Sequence, residues 1–256
     1  MSDLLAFAGT AYAAPARSLK ADALSDPLAF AGTADAAPAR SLAFAGTADA
    51  APASESQAVT RTATINRRTG ETDVSLTLGL DGTGSGTRTT GVGFFDHMLD
   101  LLARHGRLDL DVEVSGDLQT GSHHTVEDTG IVLGQALHQA LGDRRGIVRY
   151  GHATIPMDEA RAAAALDISG RPYALIEGFE RLPRGEIAGF EHEAAEEFFR
   201  ALASSARVTL HIQLQAGTNA HHMIEACFKA LARALRAAVA IDPAETGVPS
   251  TKGTLT

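Results

Sequence analysis

His123-His124-Thr125-Val126-Glu127 and His221-His222-Met223-Ile224-Glu225 are the two stretches on which the rest of the sequence turns. They lie 98 residues apart. The segments behind them keep one frame, with Glu127 matching Glu225 and Ala136-Leu137 matching Ala234-Leu235. Each opens a run with apolar residues at helical spacing, residues 123–141 and 221–240, the second with Asn219 placed to cap it. On a helix, positions i and i+4 share a face, whereas adjacent residues diverge by about 100°. His123 and Glu127 can therefore grip one ion while His124 points toward another, and His221 or His222 can do the same with Glu225. Imidazole nitrogen and carboxylate oxygen are ordinary ligands of first-row metals. One such stretch reads equally well as a surface or capping feature. Two at equivalent points of a duplicated frame indicate a shared ligand role. Four His and two Glu half-satisfy two ions, and His97, in Gly93-Phe94-Phe95-Asp96-His97, is a further candidate.

Outward from these stretches the same pattern recurs. Residues 61–66 and 73–80 alternate polar with apolar or β-branched side chains, which predicts strands joined by a turn at Arg68-Thr69-Gly70. Residues 94–105 are predicted helical, ending at Gly106, and 108–114 alternate again. Later, 162–168 is a strand candidate, 194–203 helical, and 208–214 alternating. Helix, strand, loop and a helix opening with His-His occur twice. This predicts an α+β protein with an internally duplicated half-domain, about 58–150 and 151–256, each an open sheet with helices on one face.

Residues 1–57 have a different texture. The unit Leu5-Ala6-Phe7-Ala8-Gly9-Thr10-Ala11-Tyr12-Ala13-Ala14-Pro15-Ala16-Arg17-Ser18 returns from Leu28 to Ser41 and, without the Arg, from Leu42 to Ser54. Each copy offers too little apolar surface to offset the entropy of ordering the chain. It reads as a disordered low-complexity leader, or alternatively as a three-copy docking motif for a scaffold or shell partner. No Lys or Arg precedes Arg17, so no signal peptide is expected.

The 256 residues carry 22 Lys and Arg against 31 Asp and Glu, a net charge of −9 that argues against general nucleic-acid binding. No apolar run approaches the roughly 18 residues of a membrane span. A single cysteine, Cys227, excludes an internal disulfide, and a cytoplasmic location is expected. Arg149, Arg171 and Lys252, set beside Gly, Pro, Ser250 and Thr251, suggest an anion site. Glu71, in the turn between the first two strands, is a carboxylate available for acid or base work. His138 and His152 read as ordinary histidines, His192 as solvated in an acidic loop, and His211 as packing or supporting the site.

Six motifs in order carry a resemblance: Phe94-Phe95-Asp96-His97-Met98-Leu99, His123-His124-Thr125-Val126-Glu127-Asp128, Pro156-Met157-Asp158-Glu159, Asp167-Ile168-Ser169-Gly170-Arg171-Pro172-Tyr173, His221-His222-Met223-Ile224-Glu225 and Pro249-Ser250-Thr251-Lys252-Gly253. Over residues 58–256 the chain resembles the monofunctional imidazoleglycerol-phosphate dehydratases of histidine biosynthesis. The resemblance implies a duplicated fold like domain 2 of ribosomal protein S5. It implies dehydration of imidazole glycerol phosphate to imidazole acetol phosphate, two Mn2+ per active site, and a 24-subunit homo-oligomer with sites between subunits. By position, His97, His124, His221 and Glu225 would bind one ion, and His123, Glu127, His222 and Glu197 the other. Glu197 stands where many members have His, a change that manganese accepts because it takes hard oxygen ligands, with Glu196 the rival one position earlier. A second departure is Thr120-Gly121-Ser122, where an acidic run often precedes the His pair. The resemblance makes Glu71 the proton shuttle, with His97, Glu127 and Glu225 counted beside it as catalytic. It puts Arg149, Arg171, Ser250, Thr251 and Lys252 on the phosphate, Lys229 near it, and His105 by the glycerol hydroxyls. His123 and His124 touch substrate as well as metal, the substrate imidazole being held as a metal-bound imidazolate.

Two other functions use the same residue types. A dimetal phosphate-ester hydrolase would release free phosphate, and would ordinarily need bridging Asp ligands that no motif here supplies. A non-enzymatic metal-binding shell protein would need neither Glu71 nor the phosphate residues. Removing residues 1–57 is expected to leave turnover per active site unchanged, as checked by comparing the initial rates of full-length and truncated protein.

Overall fold

The computed structural model describes residues 61–255, so the repeats of residues 1–57 lie outside the described residues. The first half contains β1 (Thr62–Arg68), β2 (Thr72–Gly79), β3 (Arg88–Thr89), α1 (Gly93–Gly106), β4 (Asp109–Gly116) and α2 (His123–Ala140). The second contains β5 (Tyr150–Met157), β6 (Ala160–Asp167), β7 (Tyr173–Glu177), a small hairpin of β8 (Glu186–Ile187) and β9 (Phe190–Glu191), then α3 (Ala194–Ala206), β10 (Thr209–Ala216) and α4 (Ala220–Val239).

The two four-stranded sheets have one topology. Their orders are β1-β2-β4-β3 and β5-β6-β10-β7, with antiparallel pairs except at the last strand, which runs parallel to its neighbour. Expectation and structure thus agree on a duplicated mixed-sheet α+β fold. The first two strands of each sheet form a hairpin, in register from Thr62↔Gly79 to Arg68↔Asp73 and from Tyr150↔Asp167 to Met157↔Ala160.

Alternation decides which face is covered. Val74, Leu76 and Leu78 of β2 and Leu110, Val112 and Val114 of β4 point inward, while Ser75, Glu113 and Asp111 point out. In the second sheet the inward set is Ala160, Ala162, Ala164 and Leu166 with Leu210, Ile212 and Leu214. This face is made of smaller side chains, and α4 lies closer to it. A Cβ on Gly151 would stand 1.9 Å from the carbonyl oxygen of Ala234.

The helices pair across the halves: α2 covers β1 and β2 and runs along α3, while α4 covers β5 and β6 and runs along α1. At the first pairing, Cβ atoms on Gly130 and Gly134 would stand 2.8 Å from the Phe198 carbonyl oxygen and 2.7 Å from that of Leu202. Beside the second, Phe94, Phe95, Phe190, Phe198, Phe199 and Phe228 make a continuous aromatic cluster, with ring centroids 4.9–5.8 Å apart at its contacts.

Strands β5 and β7 were not expected. β5 begins with Tyr150-Gly151-His152 and carries Pro156, and β7 follows a Pro, so the strand signal was broken in both. His192 corrects the solvated reading. It is buried, its Nδ1 lying 2.6 Å from the Pro183 carbonyl oxygen, because the β8–β9 hairpin folds it inward. Among the described residues no helix is long and apolar enough to cross a membrane.

Replacing an exposed helical Gly by Ala stabilises by up to about 1 kcal/mol. Gly134→Ala is expected to do the reverse, costing about 1–3 kcal/mol as α2 is pushed from α3, read as a lower urea midpoint.

Candidate metal and substrate site

The first turns of α2 and α4 carry the two His-His pairs, and Asn219 caps α4 by accepting hydrogen bonds from the backbone N–H groups of His221 and His222. At α2 that place is taken by Glu191 of the other half, whose carboxylate accepts from the N–H (2.9 Å) and hydroxyl (2.7 Å) of Ser122. An acidic group at a helix N-terminus is favourable.

The packing of α1 on α4 brings His97 to the second pair. Its Nε2 lies 3.4 Å from Glu225 Oε2, and His221 Nε2 lies 3.0 Å from the same oxygen. Ligand atoms of His97, His221 and Glu225 all fall within 4.8 Å of one another. The Phe94 ring, 5.0 Å from that of His221, backs the group. Two imidazole nitrogens and a carboxylate oxygen converging on one point fit a divalent first-row metal such as Mn2+.

Glu225 is 6% exposed, and burial alone would raise its carboxyl. The ammonium of Lys229, 2.5 Å away, followed by His221 and His97, outweighs that and holds it below the ordinary carboxylate range. Lys229 thus stands on a metal-type ligand. His105 sits in the same region, its imidazole pushed down by burial and then by the charges of Lys229 and Arg233.

The first-half counterpart is looser. His123 Nε2 and Glu127 Oε2 are 3.5 Å apart, with 42% of the Glu127 side chain exposed. α1 and α3 superpose by sequence from their ends, Gly106-Arg107 against Ala206-Arg207, so Glu197 occupies the position in α3 that His97 has in α1. Its neighbour Glu196 is ion-paired with Arg200 one turn on, which removes it as the freer of the two.

The remaining His of each pair turns away, as 100° of helical rotation requires. His124 directs Nδ1 at Asp117 (3.0 Å) and Nε2 toward Glu71 (3.8 Å). Asp117, just past the end of β4, is the acidic group that meets His124. His222 directs Nδ1 at Glu159 Oε2 (2.8 Å) and Nε2 toward Asp158 (3.7 Å). Contacts to these carboxylates raise both imidazoles, His124 through Asp117 and His222 through Glu159. Glu159 is lowered to about 2 by His222 and by the backbone N–H groups of Asn219 and Thr218.

The phosphate-type residues form a second group. Arg149 is engaged within the chain, its Nε and Nη2 on Asp167 (2.8 and 3.2 Å) and its Nη1 on the Pro249 carbonyl (2.8 Å). It anchors the turn of residues 249–253. Arg171 is the exposed member, 3.8 Å from Asp167. Ser250 closes the turn, its hydroxyl accepting from the Lys252 N–H and its carbonyl from that of Gly253, and leaves Thr251 and Lys252 exposed. Of the other histidines, His138 pairs with Arg144, and His152 and His211 face outward on the second sheet. Asp117, Glu159, Asp167 and Glu191 were not anticipated as site residues. Glu159 and Asp167 were visible as members of ordered motifs, but their partners come from other elements.

A duplicated α+β protein with a His/Glu metal-type centre and a separate cationic turn is the class that fold and site define. The family model for imidazoleglycerol-phosphate dehydratase matches residues 90–235. The chain is 59% identical over 196 residues to the imidazoleglycerol-phosphate dehydratase of Azorhizobium caulinodans, covering 76% of this chain and 98% of that one. It is 56% identical over 196 residues to that of Methylorubrum extorquens, 76% and 100% being covered. A crystal structure of the Staphylococcus aureus dehydratase superposes with a TM-score of 0.64 at 41% identity, covering 71% of this chain and 99% of that one. The Pyrococcus furiosus protein, crystallised with (S)-C348, gives 0.64 at 36%, covering 75% and 100%. The chain belongs to the imidazoleglycerol-phosphate dehydratase family of hydro-lyases.

Lys229→Met removes the strongest contact that lowers Glu225. A lowered carboxyl contributes stability that is full above its unfolded value, roughly pH 4.3, and is lost as pH falls. In metal-free protein the stability difference between parent and variant is therefore expected to be largest near neutrality and to close in acid, measured by urea denaturation at stepped pH.

Proposed function

We propose that this chain dehydrates imidazole glycerol phosphate to imidazole acetol phosphate in histidine biosynthesis, using two Mn2+ per active site. The observation that carries the metal part is the convergence of His97, His221 and Glu225 within 4.8 Å, in a chain of this family. When bound, the ions supply Lewis-acid polarisation of the substrate imidazole and a template for its position.

The chain's own groups divide the remaining work. Glu71, on the β1–β2 turn and 3.8 Å from His124 Nε2, is exposed enough to meet the glycerol carbon and move a proton at its carboxylate. Arg149, Arg171, Ser250, Thr251 and Lys252 hold the phosphate. Arg149 fixes the terminal turn through Pro249. His105 stands toward the glycerol hydroxyls, and Lys229, paired with Glu225, adds a cation on the phosphate side.

His97, His221 and Glu225 give three ligands of one ion, and His123, Glu127 and Glu197 the matching three of the other. His124 and His222, turned to other faces, are the fourth ligands offered to copies of the same chain. This reading makes metal binding and assembly interdependent and supports a 24-subunit homo-oligomer with sites between subunits. The enzyme works in the cytoplasm.

Manganese-loaded protein is expected to form imidazole acetol phosphate, and chelated protein to form none until Mn2+ returns. Release of inorganic phosphate instead would favour the hydrolase, and absence of product from loaded, assembled protein would favour the binding shell. Glu71→Gln is expected to lower kcat by about 100- to 10,000-fold.

A further inference from the structure

The duplication sets four carboxylate positions around the two outward-turned histidines, and they are not used alike. Strands β2 and β6 correspond with an offset of 88 residues, so Glu159 is the second-half equivalent of Glu71. Strands β4 and β10 correspond with an offset of 100, so the equivalent of Asp117 is Gly217. The first half therefore has a carboxylate at both places, and the second only at the hairpin.

The geometry matches that difference. In the first half Asp117 takes His124 Nδ1 with both oxygens, at 3.0 and 3.1 Å, and Glu71 is left facing Nε2 from 3.8 Å. In the second half Glu159 reaches His222 Nδ1 with Oε2 at 2.8 Å. Its Oε1 accepts the backbone N–H groups of Asn219 (2.8 Å) and Thr218 (3.1 Å). Gly217, just before them, has φ +146°, and a Cβ there would stand 2.3 Å from Met223. A carboxylate side chain at that position would not fit, so the hairpin glutamate does the holding.

We propose that Asp117 and Glu159 are positioning residues. Each fixes its histidine with the proton on Nδ1, so that Nε2 is presented as a lone-pair donor to a metal ion. A metal-ligating His commonly gives its other ring N–H to a carboxylate, which sets tautomer and ring plane. Of the two equivalent hairpin glutamates, Glu159 is consumed in this way and Glu71 alone is free for proton transfer. The inference rests on the dimetal reading above.

The test uses full-length protein stripped of metal and titrated with Mn2+, free Mn2+ being read by electron paramagnetic resonance. Asp117→Ala and Glu159→Ala are each expected to weaken Mn2+ binding by about 10- to 100-fold. Turnover lost at limiting Mn2+ should return at excess Mn2+, and Asp117→Asn, which keeps an acceptor for Nδ1–H, should bind close to the parent. Glu71→Gln should show the opposite split, with parental Mn2+ binding and turnover that excess metal does not restore. Alanine variants that bind Mn2+ like the parent overturn the proposal. So does turnover that stays as low as that of Glu71→Gln at saturating metal. Parent protein that takes up no Mn2+ overturns the dimetal reading and this inference with it.

Discussion

Glu225 is a carboxylate almost wholly removed from water, and the site depends on its staying ionised there. Three cationic or donor groups from two helices hold it: Lys229 and His221 along α4, and His97 across from α1. An unpaired buried charge costs several kcal/mol, so this contact also fixes the spacing of α1 and α4. The aromatic cluster around Phe94 and Phe198 fills the volume that this spacing leaves. The first-half equivalent has no such lysine, Ile131 standing where Lys229 does one frame on, and Glu127 stays open to solvent.

Most of the fold was legible because both halves repeat one alternation and one helical frame. The helices begin and end within a few residues of where their periodicity places them, as α1 does at its Gly106 stop. What escaped were strands whose patterns are interrupted, β5 by Pro156 and β7 by its preceding Pro. The mostly alanine face of β6 reads weakly as a strand until α4 is seen resting on it. At the site, the contacts of His123 with Glu127 and of His221 with Glu225 followed from i,i+4 spacing. The carboxylates that meet His124 and His222 did not, since Glu159 reaches His222 from 63 residues away. His192 was misjudged because its acidic neighbours concealed a hairpin that folds inward.

The duplication is close in backbone and unequal in chemistry. Equivalent positions carry His97 and Glu197, Lys229 and Ile131, Asp117 and Gly217. Each exchange alters charge or access at one half-site while leaving strand order and helix pairing alone. Two copies of one scaffold can thus carry similar His/Glu pairs while only the first keeps a hairpin glutamate that is not bound to a histidine Nδ1.

The segment joining the halves does more than connect them. Arg144 donates to the carbonyl of Leu255, Arg145 to that of Thr246, and Arg149 to that of Pro249, while the Gly146 N–H meets the Gly247 carbonyl. The junction is therefore a mooring for the terminal turn, and the length and composition of this connector are constrained by a feature about 100 residues downstream. A circular permutant opened between residues 143 and 149 would keep every strand pairing of both sheets and still cast that turn adrift.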